Sequence, residues 1–264
     1  QRARRALAWL QELVTTAAEH RAVVEAVVSL WLGVAPVGRQ QPAHYSSGAE
    51  EGESMQFEFD GLRGAFTEQS TIFLDLVRAA PDLAAPTALP GWDCAVLIGH
   101  VSTAIEALWR WQGDPPDGAV ELDAVRWWDA VDPATNDSFA QQYADKRSHQ
   151  ELRDLIEAAV QHAHGFLPEA SPDMCLVAPG AVAWAPFDQA LATRIFELTV
   201  HGLDLARAAG SSSKMAASAL EIAGSILDQR LDGIRPVDIG AEHDWVLAAT
   251  GRAPHSDPRL PVVS

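Results

Sequence analysis

The chain has 264 residues, nearly half of them hydrophobic, and a formal net charge of −17. That length carries one large domain or two small ones with a sizeable core. The acidic balance excludes a phosphate-binding surface and hence a nucleic-acid partner. No run of about 18 apolar residues occurs, so no transmembrane helix is expected. With only Cys94 and Cys175, a disulfide framework is not expected, and a reducing cytoplasm is the default location. Lysine occurs only as Lys146 and Lys214.

Residues 4–32 carry Leu7, Leu10, Leu13, Val14, Ala17 and Ala18 at helical spacing. Gly33, Pro36 and Gly38 end that run, and a Gln-, Ser-, Gly- and Glu-rich linker follows to Ser54. Residues 1–54 are thus expected to form an N-terminal helical extension and linker. They read either as a segment upstream of the true start at Met55 or as an arm that packs on the domain or a partner.

From Met55 the pattern is helical. A helix is predicted over Phe57–Ala80, its apolar stripe formed by Phe59, Leu62, Phe66, Ile72, Phe73, Leu76 and Val77 and its end set by Pro81. Asp93 is the expected N-cap of a second helix reaching Trp111, with Trp92 and Leu97 placed as a hydrophobic staple. Residues 114–137 read as loop, with Trp127 and Trp128 in a short element. Ser148-His149-Gln150-Glu151 is a capping box opening a helix to about Leu167. Pro186 is preset for the first turn of a further helix, which Gly210 suits as a stop. Two more helices are predicted at about Lys214–Leu231 and Ala241–Thr250. No convincing β-hairpin and no repeat is evident. The expected fold is all-α: an antiparallel four-helix bundle over residues 55–254, with added C-terminal helices and a tail at 255–264.

The helix beyond Pro186 contains Arg194-Ile-Phe-Glu197-Leu-Thr-Val-His201-Gly-Leu-Asp204-Leu. Glu197 and His201 are four residues apart and share one helix face. Two such groups can grip a divalent metal if a third ligand arrives from elsewhere, and His100, about two turns into its own helix, is the candidate. Two imidazoles and a carboxylate leave a coordination position open, the pattern of a catalytic site. Zinc suits the set; iron(II) would tolerate it. Asp204 and Arg194 are candidates to orient the ligands. By spacing alone Glu-x-x-x-His is common on helix surfaces, and a histidine between Gly99 and Val101 is often a satisfied core residue.

Two segments together raise the metal reading. Leu89-Pro-Gly-Trp-Asp-Cys-Ala-Val-Leu-Ile-Gly-His100 resembles the first motif of the mycothiol-dependent maleylpyruvate isomerase family, and the Arg194–Asp204 segment resembles its second. The resemblance runs from Phe57 to about Arg252, includes Thr250-Gly251-Arg252, and leaves residues 1–54 unmatched. It implies a DinB-like bundle, with His100, Glu197 and His201 as metal ligands. It also implies mycothiol, the thiol of actinobacteria, as cosubstrate. A metal-held thiol would ionise near neutrality and add to an electrophilic small molecule. In an isomerase it leaves after rotation about a double bond; in a transferase it stays. The implied protein is a metal-dependent mycothiol-utilising transferase or isomerase, a monomer or weak dimer. The rival expectation is a non-catalytic metal-binding module with a binding or regulatory role.

The family's isomerases carry a C-terminal domain that helps hold an acidic substrate through an arginine; here Arg230, Arg235 and Arg252 are the candidates, and the simpler expectation for each is a surface residue. Other residues carry simpler expectations. Cys94 is expected to be buried despite its helix N-terminus. His162 and His164 point apart at their spacing, and Asp188 compensates a helix dipole. Ser211–Ser213 form a joint. The tryptophans are expected to pack the core, with Trp127 and Trp128 able to line a pocket.

Overall fold

The computed structural model describes residues 56–130, 133–178, 183–212, 214–231 and 234–263. The expected extension and linker over 1–54 fall outside them. Among the described residues there are seven α-helices: α1 Phe59–Ala79, α2 Cys94–Arg110, α3 Pro133–Asp145, α4 His149–Phe166, α5 Phe187–Ala208, α6 Ala217–Leu231 and α7 Glu242–Ala249. None of them is long and apolar enough to cross a membrane.

Helices α1, α2, α4 and α5 form the bundle. Helix α1 packs on α4 and α5, and α2 packs on the same two, so α1 lies diagonally across the core from α2, and α4 from α5. Helix α1 buries Leu62, Phe66, Phe73, Leu76 and Val77 on its predicted stripe. Ala80 is extended before Pro81, because an α conformation there would clash with the proline ring. Asp93 caps α2 by accepting from Val96 N–H at 2.9 Å. The Ser148–Glu151 capping box is present in full at the start of α4. Helix α5 is buried on nearly all sides, which makes it the central element. It ends in a Schellman pattern: Gly210 adopts φ 62°, its N–H reaches Arg207 O and that of Ser211 reaches Ala206 O.

Across the bundle, Gln69 of α1 donates from Nε2 to Leu198 O and accepts from Ala216 N–H through Oε1. The buried amide thereby joins α1, α5 and the entry to α6. Helices α6 and α7 pack together, and α6 packs against α5 and α1. The segment after α7 returns to this pair, where Val262 N–H bonds Ala249 O.

Two features depart from the sequence expectation. Residues 133–145 form helix α3, packed on α2, where a loop was expected as far as 137. This helix turns Ala140 and Ala144 inward and carries no stripe of large apolar residues, so periodicity gave no signal. The protein also has a small sheet, in the order β1 Val120–Glu121, β3 Ala183–Pro186, β2 Cys175–Val177. Strand β1 pairs parallel to β3, and β2 pairs antiparallel to it with Leu176 opposite Ala185. Strands this short fall below the run length that alternation can mark. The sheet matters because β3 runs straight into α5: Pro186 ends the strand and is the N-cap of the helix, not its first residue.

Candidate metal centre

His100 comes from α2, and Glu197 and His201 come from the neighbouring α5. One ligand atom from each lies within 4.8 Å of the other two. Glu197 Oε2 stands 3.1 Å from His100 Nε2 and 3.0 Å from His201 Nε2. These side chains are 11, 14 and 10 % exposed for His100, Glu197 and His201. The structure thus brings together the three residues singled out from the sequence, at a point that is nearly closed to solvent.

Two of these side chains have their remaining polar atom engaged. Glu197 Oε1 accepts the Trp128 indole N–H at 3.1 Å. His201 Nδ1 faces Asp204 Oδ2 at 3.2 Å. Asp204 is 1 % exposed and is held in turn by Arg252, whose Nε and Nη2 donate to its two oxygens at 2.9 and 2.7 Å. Trp92 forms a wall: its ring stacks on His201 at 6.0 Å and meets His100 edge-on at 5.2 Å.

The electrostatics follow from this packing. Burial alone would raise the pKa of Glu197, but the hydrogen bonds and charge of His100 and His201 hold it well below the usual carboxylate range. Burial would lower that of His201, and Asp204 and Glu197 reverse the sign and raise it. Asp204 is pulled down against its own burial by His201 and Arg252. The cluster therefore concentrates negative charge around imidazoles, the field a cation would meet.

Arg194 sits one turn before Glu197 but does not hydrogen-bond it. Its guanidinium lies 4.9 Å from the Trp127 ring centre and 6.0 Å from that of Trp111. Nη1 donates to Thr193 Oγ1, and the buried Nε has no partner. Burial pushes its pKa down to about 10, with the Glu197 charge opposing. Its charge and that of Glu197 interact without a hydrogen bond between them.

The three arginines considered for a substrate carboxylate are all paired within the chain. Arg230 bonds Asp129, Arg235 bonds Asp228 and Glu242, and Arg252 bonds Asp204. Cys94 is buried, and its thiol pKa is raised by that burial and by Asp93 and Asp82. His164 bonds Ser70 Oγ, while His162 stacks on Trp109, so the two do not converge. Asp188 lies in the first turn of α5.

Sequence reading did not find the bond from Trp128 to Glu197, the Trp92 wall over His201 or the Arg252 clamp. An N-terminal staple role for Trp92 and pocket lining for Trp128 were the nearest signals. The Thr250-Gly251-Arg252 ending was the nearest to the clamp.

The family model described as mycothiol maleylpyruvate isomerase N-terminal domain matches residues 66–206, more than half of the chain. Among solved structures, the mycothiol-dependent maleylpyruvate isomerase is similar at 16 % sequence identity, covering 66 % of this chain and 70 % of that one, with a TM-score of 0.47. No curated protein matches.

Proposed function

The chain belongs to the family of the mycothiol maleylpyruvate isomerase N-terminal domain, and from that premise we propose that it is a metal-dependent enzyme that uses a small thiol to transfer to, or isomerise, an electrophilic small molecule. The observation that carries this reading is the convergence of His100, Glu197 and His201 within 4.8 Å. Two imidazole nitrogens and one carboxylate oxygen suit a divalent cation, with zinc the best match for that donor set. Three protein ligands leave room for a fourth from solution, which is what separates a catalytic from a structural site.

A cation held there supplies positive charge that favours the ionised form of a thiol brought to it. The chain's residues prepare that place. Trp128 holds Glu197 by one oxygen and leaves the other facing the imidazoles. Asp204 accepts from His201 Nδ1, which turns the Nε2 lone pair of the neutral ring toward the centre. Trp92 covers the two imidazoles and limits water. Arg194, three residues before Glu197, adds a buried positive charge that interacts with the Glu197 carboxylate. The thiol of the family's name, mycothiol, is the proposed cosubstrate, and the second substrate is an electrophile.

Elemental analysis of the purified protein beside its His100→Ala variant tests the reading. The expected result is about one zinc per chain in the parent, lost in the variant, followed by thiol-dependent turnover of electrophiles. A parent chain that takes up no divalent metal after incubation with zinc refutes it. Metal without any bound thiol would favour a non-catalytic metal-binding module.

A further inference from the structure

The family match ends at residue 206, yet two side chains beyond it reach the partners that orient the metal ligands. Arg252 follows α7 and grips both oxygens of Asp204, while its Nη1 donates to Thr250 O at 2.9 Å. Arg230, in α6, donates from Nη1 to Val125 O at 2.6 Å and from Nη2 to Asp129 Oδ1 at 2.8 Å. Its Nε donates to Val262 O at 3.2 Å. Val125 and Asp129 flank Trp127 and Trp128, and Trp128 donates to Glu197.

We propose that the segment from α6 to residue 263 is a positioning module for the metal centre, acting on His201 through Arg252 and Asp204, and on Glu197 through Arg230 and Trp128. The proposal rests on the metal reading above. A carboxylate accepts and cannot donate, so Asp204 selects the neutral tautomer of His201 that carries its proton on Nδ1. Asp204 can do so only while its oxygens are aimed, and a bidentate guanidinium sets both of them at once. Arg252 and Asp204 are 8 and 1 % exposed. A buried pair of this kind adds little net stability over an apolar replacement, but it fixes direction, which an apolar contact does not. Arg230 works from the other ligand. By tying a carbonyl before the Trp127–Ala130 turn and a carboxylate within it, the guanidinium holds the turn in the place from which the Trp128 indole reaches Glu197. Partners of this outer layer commonly change metal affinity about 10- to 100-fold.

The test uses the full chain and the variants Arg252→Met, Arg252→Lys and Arg230→Met. Zinc affinity is measured by chelator competition. The His201 ring nitrogens and the Trp128 indole N–H are followed by NMR in metal-free protein, at a pH where the ring is neutral. Thermal unfolding is recorded alongside. Arg252→Met is expected to weaken zinc about 10- to 100-fold and to move the His201 proton away from Nδ1. Arg252→Lys, which keeps the charge but not the fork, is expected to fall between. Arg230→Met is expected to shift the Trp128 N–H and weaken zinc without changing the His201 tautomer. Loss of thermal stability with zinc affinity kept within about twofold and an unchanged tautomer overturns the proposal. If Arg252→Met does not fold, Arg252→Lys decides by the same two readouts. A parent chain that binds no divalent metal refutes the function proposed above, and the tautomer, read without metal, still decides whether Arg252 sets His201.

Discussion

Trp128 and Glu197 meet at 3.1 Å, indole N–H to Oε1, and this leaves Oε2 alone between the two imidazoles. The bond divides the carboxylate into one oxygen held by the Trp128 indole and one that faces the imidazoles, the oxygen proposed to meet a cation. Trp128→Phe keeps a ring against Phe196, which lies 4.5 Å away, but removes the donor. The expected outcome is a loss of about tenfold in zinc affinity with little change in unfolding temperature. Competition with a chelator checks it, and an unchanged affinity would show that packing alone positions Glu197.

The pH response has a definite sign. The folded-state pKa of His201 lies above 6.5, so its contribution to stability is full below that value and is lost as pH rises through the raised one. Glu197 and Asp204 are depressed, so theirs is present above the ordinary carboxylate range and lost in acid. Metal-free protein should therefore lose this contribution on the alkaline side. Zinc needs the neutral ring and competes with protons. Its stabilising effect should be larger at about pH 8 than at about pH 6, because fewer protons compete with the metal for the ring. Thermal shifts with and without zinc at both values test this; equal shifts would remove His201 from the ligand set.

How far the site could be read in advance depended on the distance over which each contact acts. Glu197 and His201 were visible because they are neighbours on one helix, where spacing becomes geometry. His100 was a candidate from its depth in its own helix, and the resemblance of its segment to a known motif strengthened the pairing, since no local rule joins α2 to α5. Trp128 and Arg252 act on residues far away in the chain, and neither indole nor guanidinium has a spacing that announces a carboxylate partner. The bundle helices were legible from the stripe of α1 and from the caps and breakers of the others, whereas α3 buries alanines and the sheet's strands are too short to alternate.

Gly202, next to His201, is where the Gln69 amide passes close to α5. A Cβ there would lie 2.7 Å from Met215 Sδ and 3.2 Å from Gln69 Nε2. The amide cannot retreat without leaving Leu198 O and Ala216 N–H. Gly202→Ala, which would gain helix propensity at an open site, should here cost about 1–3 kcal/mol, measured by denaturant unfolding. A neutral or stabilising result would mean that Met215 yields freely.

Arg194 offers a contrast with Trp128. Its guanidinium is flanked by indoles and makes no hydrogen bond to Glu197. Arg194→Lys keeps the charge and loses the planar stack, so a stability loss of about 1–2 kcal/mol is expected. Zinc affinity should change less than in Trp128→Phe. A larger drop in zinc affinity than in Trp128→Phe would show that Arg194 touches the ligand set directly.

Strand β3 ends at Pro186 and α5 begins at Phe187, with no spacer between them. The strand's pairing fixes where the helix starts, and the helix carries two of the three residues of the candidate centre. One inserted residue at that junction would turn every later side chain by about 100° and advance it about 1.5 Å, unless the sheet slipped by one position and reversed its faces. Point substitutions can accumulate around this joint, but a change of length cannot. In descendants of this sequence, insertions and deletions should be sparse between β3 and Asp204, so the gap pattern of an alignment would mark the centre as clearly as its identities do.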